Sequence, residues 1–109
     1  MTKNEAYWTI IENSLSLHGF KEIENVEVWC LFEKKVFKKI KQIDVDWKRV
    51  DGLVVNLENG DRRELKILPE ISNYFLNPKL EEEPKTYDFD KMSMDEINAL
   101  IAEQEKTIK

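Results

Sequence analysis

The sequence predicts an α+β fold: an N-terminal helix packed on an antiparallel sheet of about four strands in meander order, then a short helix, an acidic linker and a C-terminal amphipathic helix. Three observations predict it. Asn59-Gly60 lies between two β-patterned runs, the strongest short-range hairpin signal a chain carries. Helical patterns lie towards both ends, each opened by a capping box, Thr2 with Glu5 and Ser93 with Glu96. Between the first helix and the hairpin, apolar residues alternate with charged ones in period two.

Residues 3–18 form the first helical pattern. Tyr7, Ile10, Ile11, Ser14, Leu15 and Leu17 or His18 recur at helical spacing and face a core. Gly19 is the expected stop, because glycine takes the left-handed conformation after a helix without strain. Ser14 and His18 stand one turn apart and read as a structural pair, since no third group is placed to activate them.

Phe20 to Phe32 reads as a strand, with Val26, Val28, Cys30 and Phe32 on one face and Glu27, Trp29 and Leu31 on the other. Trp29 and Leu31 make that second face apolar as well, so a cover on both sides is expected. Residues 33–43 suit a helical face through Val36, Ile40 and Ile43. The continuation Ile43, Val45, Trp47 is strictly alternating, which favours a second strand running to Trp47.

Leu68-Pro69 breaks the sheet, and Ile71, Tyr74, Phe75 and Leu76 allow about two helical turns before Asn77-Pro78. The expected organisation is a core domain over 1–77, an acidic linker over 78–92 and an amphipathic helix over 93–109. Met94, Ile97, Leu100, Ile101 and Ile108 form the apolar side of that helix.

Charge is unevenly spread. The net charge is −5, and residues 67–109 hold ten acids against five lysines. Such a segment repels phosphate, which disfavours direct nucleic-acid binding by the chain as a whole. The basic run Lys34-Lys35-Val36-Phe37-Lys38-Lys39-Ile40-Lys41 is the exception. As a helix it would suit nucleic acid or a membrane surface; as a strand it is an edge that lysines protect from pairing.

Other chemistry is narrow. One His and one Cys exclude a zinc site of the usual ligands. Asp44-Val45-Asp46-Trp47-Lys48 starts like a calcium loop but puts a cation at its third ligand position. The three glycines are dispersed, so no phosphate-cradling loop exists. Cys30 alone makes no internal disulfide and reads as a small buried hydrophobe, which with the lack of a signal-peptide pattern suggests the cytoplasm. No apolar run approaches the ~20 residues of a membrane-spanning helix.

One further pattern joins Asp51 to Glu64-Leu65-Lys66, an aspartate opening one strand and Glu-x-Lys on the next. It resembles the core of PD-(D/E)xK nucleases, and Lys48-Arg49-Val50-Asp51 through Lys66, with the helix ending His18-Gly19-Phe20, is similar to archaeal Holliday-junction resolvases of that family. The resemblance implies Asp51 and Glu64 as ligands of a divalent metal, Lys66 as the catalytic lysine, and Glu5 or Glu12 as an accessory carboxylate.

The hairpin register sets a competing expectation for these residues. A two-residue turn at Asn59-Gly60 would mix apolar and charged side chains on each face, which a half-buried sheet resists. A three-residue loop, Glu58-Asn59-Gly60 with Gly60 left-handed, puts Leu53, Val55 and Leu57 with Leu65 and Ile67, and turns Arg62, Glu64 and Lys66 outward.

The leading functional expectation is a non-catalytic protein-binding module, a small regulator or inhibitor of the type mobile genetic elements encode, needing no cofactor or metal. Its acidic C-terminal arm would engage a protein partner, itself basic or nucleic-acid-binding, through Tyr87, Phe89, Met92, Ile97, Leu100 and Ile101. The metal-dependent nuclease is the alternative, and nucleic-acid binding through residues 34–41 the third reading.

Overall fold

A computed structural model describes residues 2–30, 33–38, 45–65, 70–78 and 85–108. Helix α1 spans Lys3–Leu17, with the Thr2 hydroxyl accepting from the Glu5 amide at 3.2 Å. It ends in a Schellman arrangement: the Phe20 amide donates to the Leu15 carbonyl and the Gly19 amide to that of Ser16, both at 3.0 Å. Gly19 at φ +83° supplies the left-handed step this closure requires.

Strands β1 (Ile23–Cys30), β2 (Glu33–Phe37), β3 (Val50–Leu57) and β4 (Arg62–Leu65) form an antiparallel sheet in the order β2-β1-β3-β4. The sheet is therefore not a simple meander, because β3 pairs with β1 and not with β2. The sequence rationalises the exchange. β1 carries apolar residues on both faces and takes a central place, whereas the lysine-bearing β2 takes an edge.

The second strand also ends earlier than the alternation predicts. Val45 and Asp46 lie outside any ladder, and Trp47–Arg49 form a single 3₁₀ turn. The Asn4 side-chain oxygen accepts both the Val45 amide at 3.2 Å and the Trp47 indole N–H at 3.1 Å. The Trp47 ring packs edge-on to Trp8, 5.0 Å between centroids. Burial of that indole, and not period two, governs the segment.

The hairpin adopts the three-residue loop. Asn56 stands opposite Arg62 and Leu53 opposite Leu65, Gly60 lies at φ +95°, and the Leu57 amide donates to the Asp61 carbonyl at 2.8 Å. A register irregularity at the other end of β3 leaves Asp51 between Gly52, paired with Trp29, and Val50, paired with Cys30.

One core joins α1 to the sheet, with Trp8, Ile10, Ile11 and Leu15 against Val26, Val28, Val50, Leu53 and Val55. Two short elements were not legible in the sequence. Strand β5 (Glu70–Ser72) pairs with β6 (Thr86–Asp88), and the helix between them, α2 (Asn73–Leu76), is one turn where two were expected. Three-residue strands are too short to show a period. Helix α3 (Met94–Ile108) then lies on α1. Ser93 caps α3, with the Glu96 amide donating to Ser93 Oγ and the Ser93 hydroxyl to the Glu96 carboxylate, both at 3.3 Å, a hydroxyl–carboxylate bond in place of the reciprocal backbone bond of a capping box.

Candidate interaction surfaces

The side chains expected to bind a partner are largely spent on the chain's own core. Phe89, Met92, Ile97 and Leu100 are buried, and Tyr87 and Ile101 pack half-buried against them. Phe89 stacks on Tyr7 at 4.6 Å, and the Tyr7 hydroxyl donates to the Phe89 carbonyl. Burial, then Asp90 and Asp88, push the Tyr7 hydroxyl up to about 12. Within residues 85–92 the chain is thus structural, while 79–84 lie outside the described residues.

What the arm leaves outside is charge. Across α1 and residues 89–108 the exposed carboxylates are Glu5, Glu12, Asp90, Asp95, Glu96, Glu103 and Glu105, against Lys3, Lys91 and Lys106. This follows from the amphipathic pattern: once the apolar stripe of α3 faces α1, the acidic stripe faces solvent.

Of Asp51, Glu64 and Lys66 in the nuclease-like pattern, only Glu64 has its side chain among the described residues. Glu64 is exposed on β4, opposite Val54 and 3.9 Å from Arg62 Nη2. The side chain of Asp51 and the whole of Lys66 lie outside the described residues. Among the described residues no three His, Cys, Asp or Glu side chains group as metal ligands. Ser14 and His18 do not form a catalytic pair: Ser14 Oγ donates to the Ile10 carbonyl at 2.7 Å, and His18 Nδ1 lies 2.9 Å from the Ser14 carbonyl. Burial pushes the half-buried Cys30 thiol up, away from reactivity.

Of the basic run, Lys34 and Lys35 sit on the edge strand and are already engaged. Lys35 lies 3.8 Å from Glu33, and Lys34 lies 3.1 Å from Glu27 with its ammonium over the Trp29 ring. Lys38 is exposed, and Lys39 and Lys41 fall outside the described residues.

The sheet has a second face, turned away from α1. Register places Lys34 and Val36 of β2, Glu27 and Trp29 of β1, Gly52, Val54 and Asn56 of β3, and Arg62 and Glu64 of β4 on it. No described element covers this face, and Trp29 is 39% exposed and Val36 51%.

At its centre Glu27 is buried and held across all four strands. Asn56 Nδ2 donates to it at 3.0 Å, and Lys34 and Arg62 approach to 3.1 and 3.3 Å. The Asn56 hydrogen bond foremost, then Lys34 and Arg62, lower the Glu27 pKa against the opposing effect of burial. Beside this clasp a groove of about 320 Å³ opens over Gly52, walled by Trp29, Val54, Arg62 and Glu64. The apolar second face of β1 was visible in the sequence, but the juxtaposition of Trp29 with Gly52 depends on a β1–β3 pairing that no local signal announces.

No helix among the described residues is long and apolar enough to cross a membrane. Compared with family models, with curated proteins and with solved structures, the chain matches none.

Proposed function

We propose that this chain is a non-catalytic protein-binding module, of the small regulator or inhibitor type, that presents the acidic outer side of its helical layer to a basic partner. The observation that carries this reading is the docking of α3 on α1, which holds Asp95, Glu96, Glu103 and Glu105 exposed on one rigid element. Charge held in fixed geometry steers encounter and discriminates between partners more than it adds raw affinity. The contact differs from the one the sequence suggested: the apolar stripe of the arm serves the fold, and its acidic stripe serves recognition.

Removing residues 78–109 would not test this, because it would take Phe89, Ile97 and Leu100 out of the core. Charge reversal does. Glu103→Lys with Glu105→Lys alters the late turns of α3, where cations suit the helix dipole and the fold is retained. The wild-type chain and this variant are compared by affinity capture from the native host and by titration of the captured partner. Expected is a basic partner whose affinity falls about tenfold in the variant and weakens with salt. Equal affinity for both forms, insensitive to salt, removes the basis of the reading.

A further inference from the structure

We propose that Asn59 is a site of spontaneous covalent modification: the Gly60 backbone nitrogen displaces the Asn59 side-chain amide, and the isoaspartyl product releases the closure of the β3–β4 hairpin.

The reactants are built into the turn. Asn59 is the one asparagine of the chain that precedes a glycine, and Asn59, Gly60 and Asp61 are all exposed to water. The Gly60 nitrogen and Asn59 Cγ are near neighbours along the chain, so their reaction closes a five-membered ring and needs no encounter. A side chain on residue 60 would crowd that ring. Gly60 has none, and nothing lies within 4 Å of where a Cβ would stand.

The hydrogen bonds of the loop act on the same atoms. The Asp61 amide donates to Asn59 Oδ1 at 2.9 Å, which polarises the carbonyl under attack and stabilises the negative charge its oxygen acquires. The leaving nitrogen, Nδ2, donates to the Asp61 carboxylate at 3.3 Å. One bond opposes. The Gly60 amide donates to the Leu57 carbonyl at 3.0 Å, so the turn must open before that nitrogen can lose its proton and attack. Folding therefore slows the reaction.

Water is the only co-reactant. The Gly60 nitrogen gives up its proton and bonds to Asn59 Cγ, the Cγ–Nδ2 bond breaks, and Nδ2 takes up a proton and leaves as ammonia. Water then opens the cyclic imide. Cleavage at the side-chain carbonyl gives aspartate, and cleavage at the main-chain carbonyl of residue 59 gives isoaspartate. Nothing is oxidised or reduced.

The consequence lies in β4. An isoaspartyl link adds a methylene to the main chain between residues 59 and 60. The loop then no longer fits the Gly60–Leu57 and Leu57–Asp61 bonds that close it. β4 is an end strand of the sheet, held by β3, and it carries Arg62, one of the groups that clasp Glu27.

Ageing the full chain at physiological temperature and mildly alkaline pH tests this. Peptide mapping follows Asn59, with Asn98 as internal reference, exposed but set before Ala99 within α3. Expected is conversion at Asn59 well ahead of Asn98, with a gain of one mass unit, both isoaspartate and aspartate as products, and faster conversion in guanidinium. In guanidinium, where the fold no longer matters, Gly60→Ala is expected to convert severalfold more slowly than the wild type. The isoaspartyl fraction, separated by chromatography, is expected to exchange its β4 amide hydrogens about tenfold faster than the unaged chain. Asn59→Asp, which carries the charge without the methylene, should exchange them much as the wild type does. An Asn59 as long-lived as Asn98, or converted to aspartate alone, overturns the proposal. So does an isoaspartyl fraction whose β4 amides exchange as in the unaged chain.

Discussion

Gln104 Nε2 lies 3.0 Å from Ser14 Oγ, and this contact ties α3 to α1 inside the protein. The same nitrogen lies 3.2 Å from the Ile10 carbonyl and 3.4 Å from that of Leu76, so one fully buried amide serves three elements. The stripe of α3 thereby passes from Leu100 to Gln104, and the more distant Ile108 is left 44% exposed.

Gln104→Ala removes packing and leaves the Leu76 carbonyl without this donor. The expected cost is about 2–4 kcal/mol of stability, read as a lower urea midpoint at unchanged m-value. A loss under about 0.5 kcal/mol, the range of ordinary surface substitutions, would mean that α3 is not anchored there.

Tyr7 predicts an alkaline limb. Its hydroxyl is raised to about 12 by burial and by Asp90 and Asp88, above its ordinary value of 10.0. A raised pKa contributes stability that is complete below pH 10 and is lost as pH climbs towards 12. The stability of the wild type should fall over that window, and Tyr7→Phe should flatten the part due to this residue. At neutral pH Tyr7→Phe is expected to cost about 1 kcal/mol, through the lost bond to the Phe89 carbonyl.

Glu27 predicts an acid limb of the opposite sense. Its lowered pKa, due first to Asn56, contributes stability that is complete above the ordinary carboxylate value of 4.5 and is lost as pH falls below it. Glu27→Gln should therefore show a shallower loss of melting temperature between neutral pH and pH 3 than the wild type. Parallel pH profiles for the two would contradict a clasped, ionised Glu27.

Gly60 isolates backbone strain. At φ +95° with nothing within 4 Å of a built Cβ, Gly60→Ala meets no clash, so its cost is conformational. About 1–2 kcal/mol is expected, measured by chemical denaturation. Gly19→Ala, at φ +83° and equally unobstructed, should behave alike.

The sequence by itself determined the elements whose cause is local. Thr2 and Ser93 open the long helices because their hydroxyls accept amides within the same turn. Gly19 and Gly60 stand where the backbone must be left-handed. The loop length at Gly60 follows from which choice keeps Leu53 and Leu65 on one face and Arg62 and Glu64 on the other. Tertiary structure alone decided the rest. Whether β3 lies beside β2 or β1, whether Trp47 continues a strand or caps the aromatic cluster of Tyr7 and Trp8, and whether Phe89 and Ile97 meet a partner or the chain's own core are choices between partners of similar hydrophobicity. The hydrophobic effect is non-directional and rewards burial against any apolar surface. Only the assembled core distinguishes them, and with them the faces left to solvent: the acidic side of α3, and the sheet surface where Trp29 stands opposite Gly52.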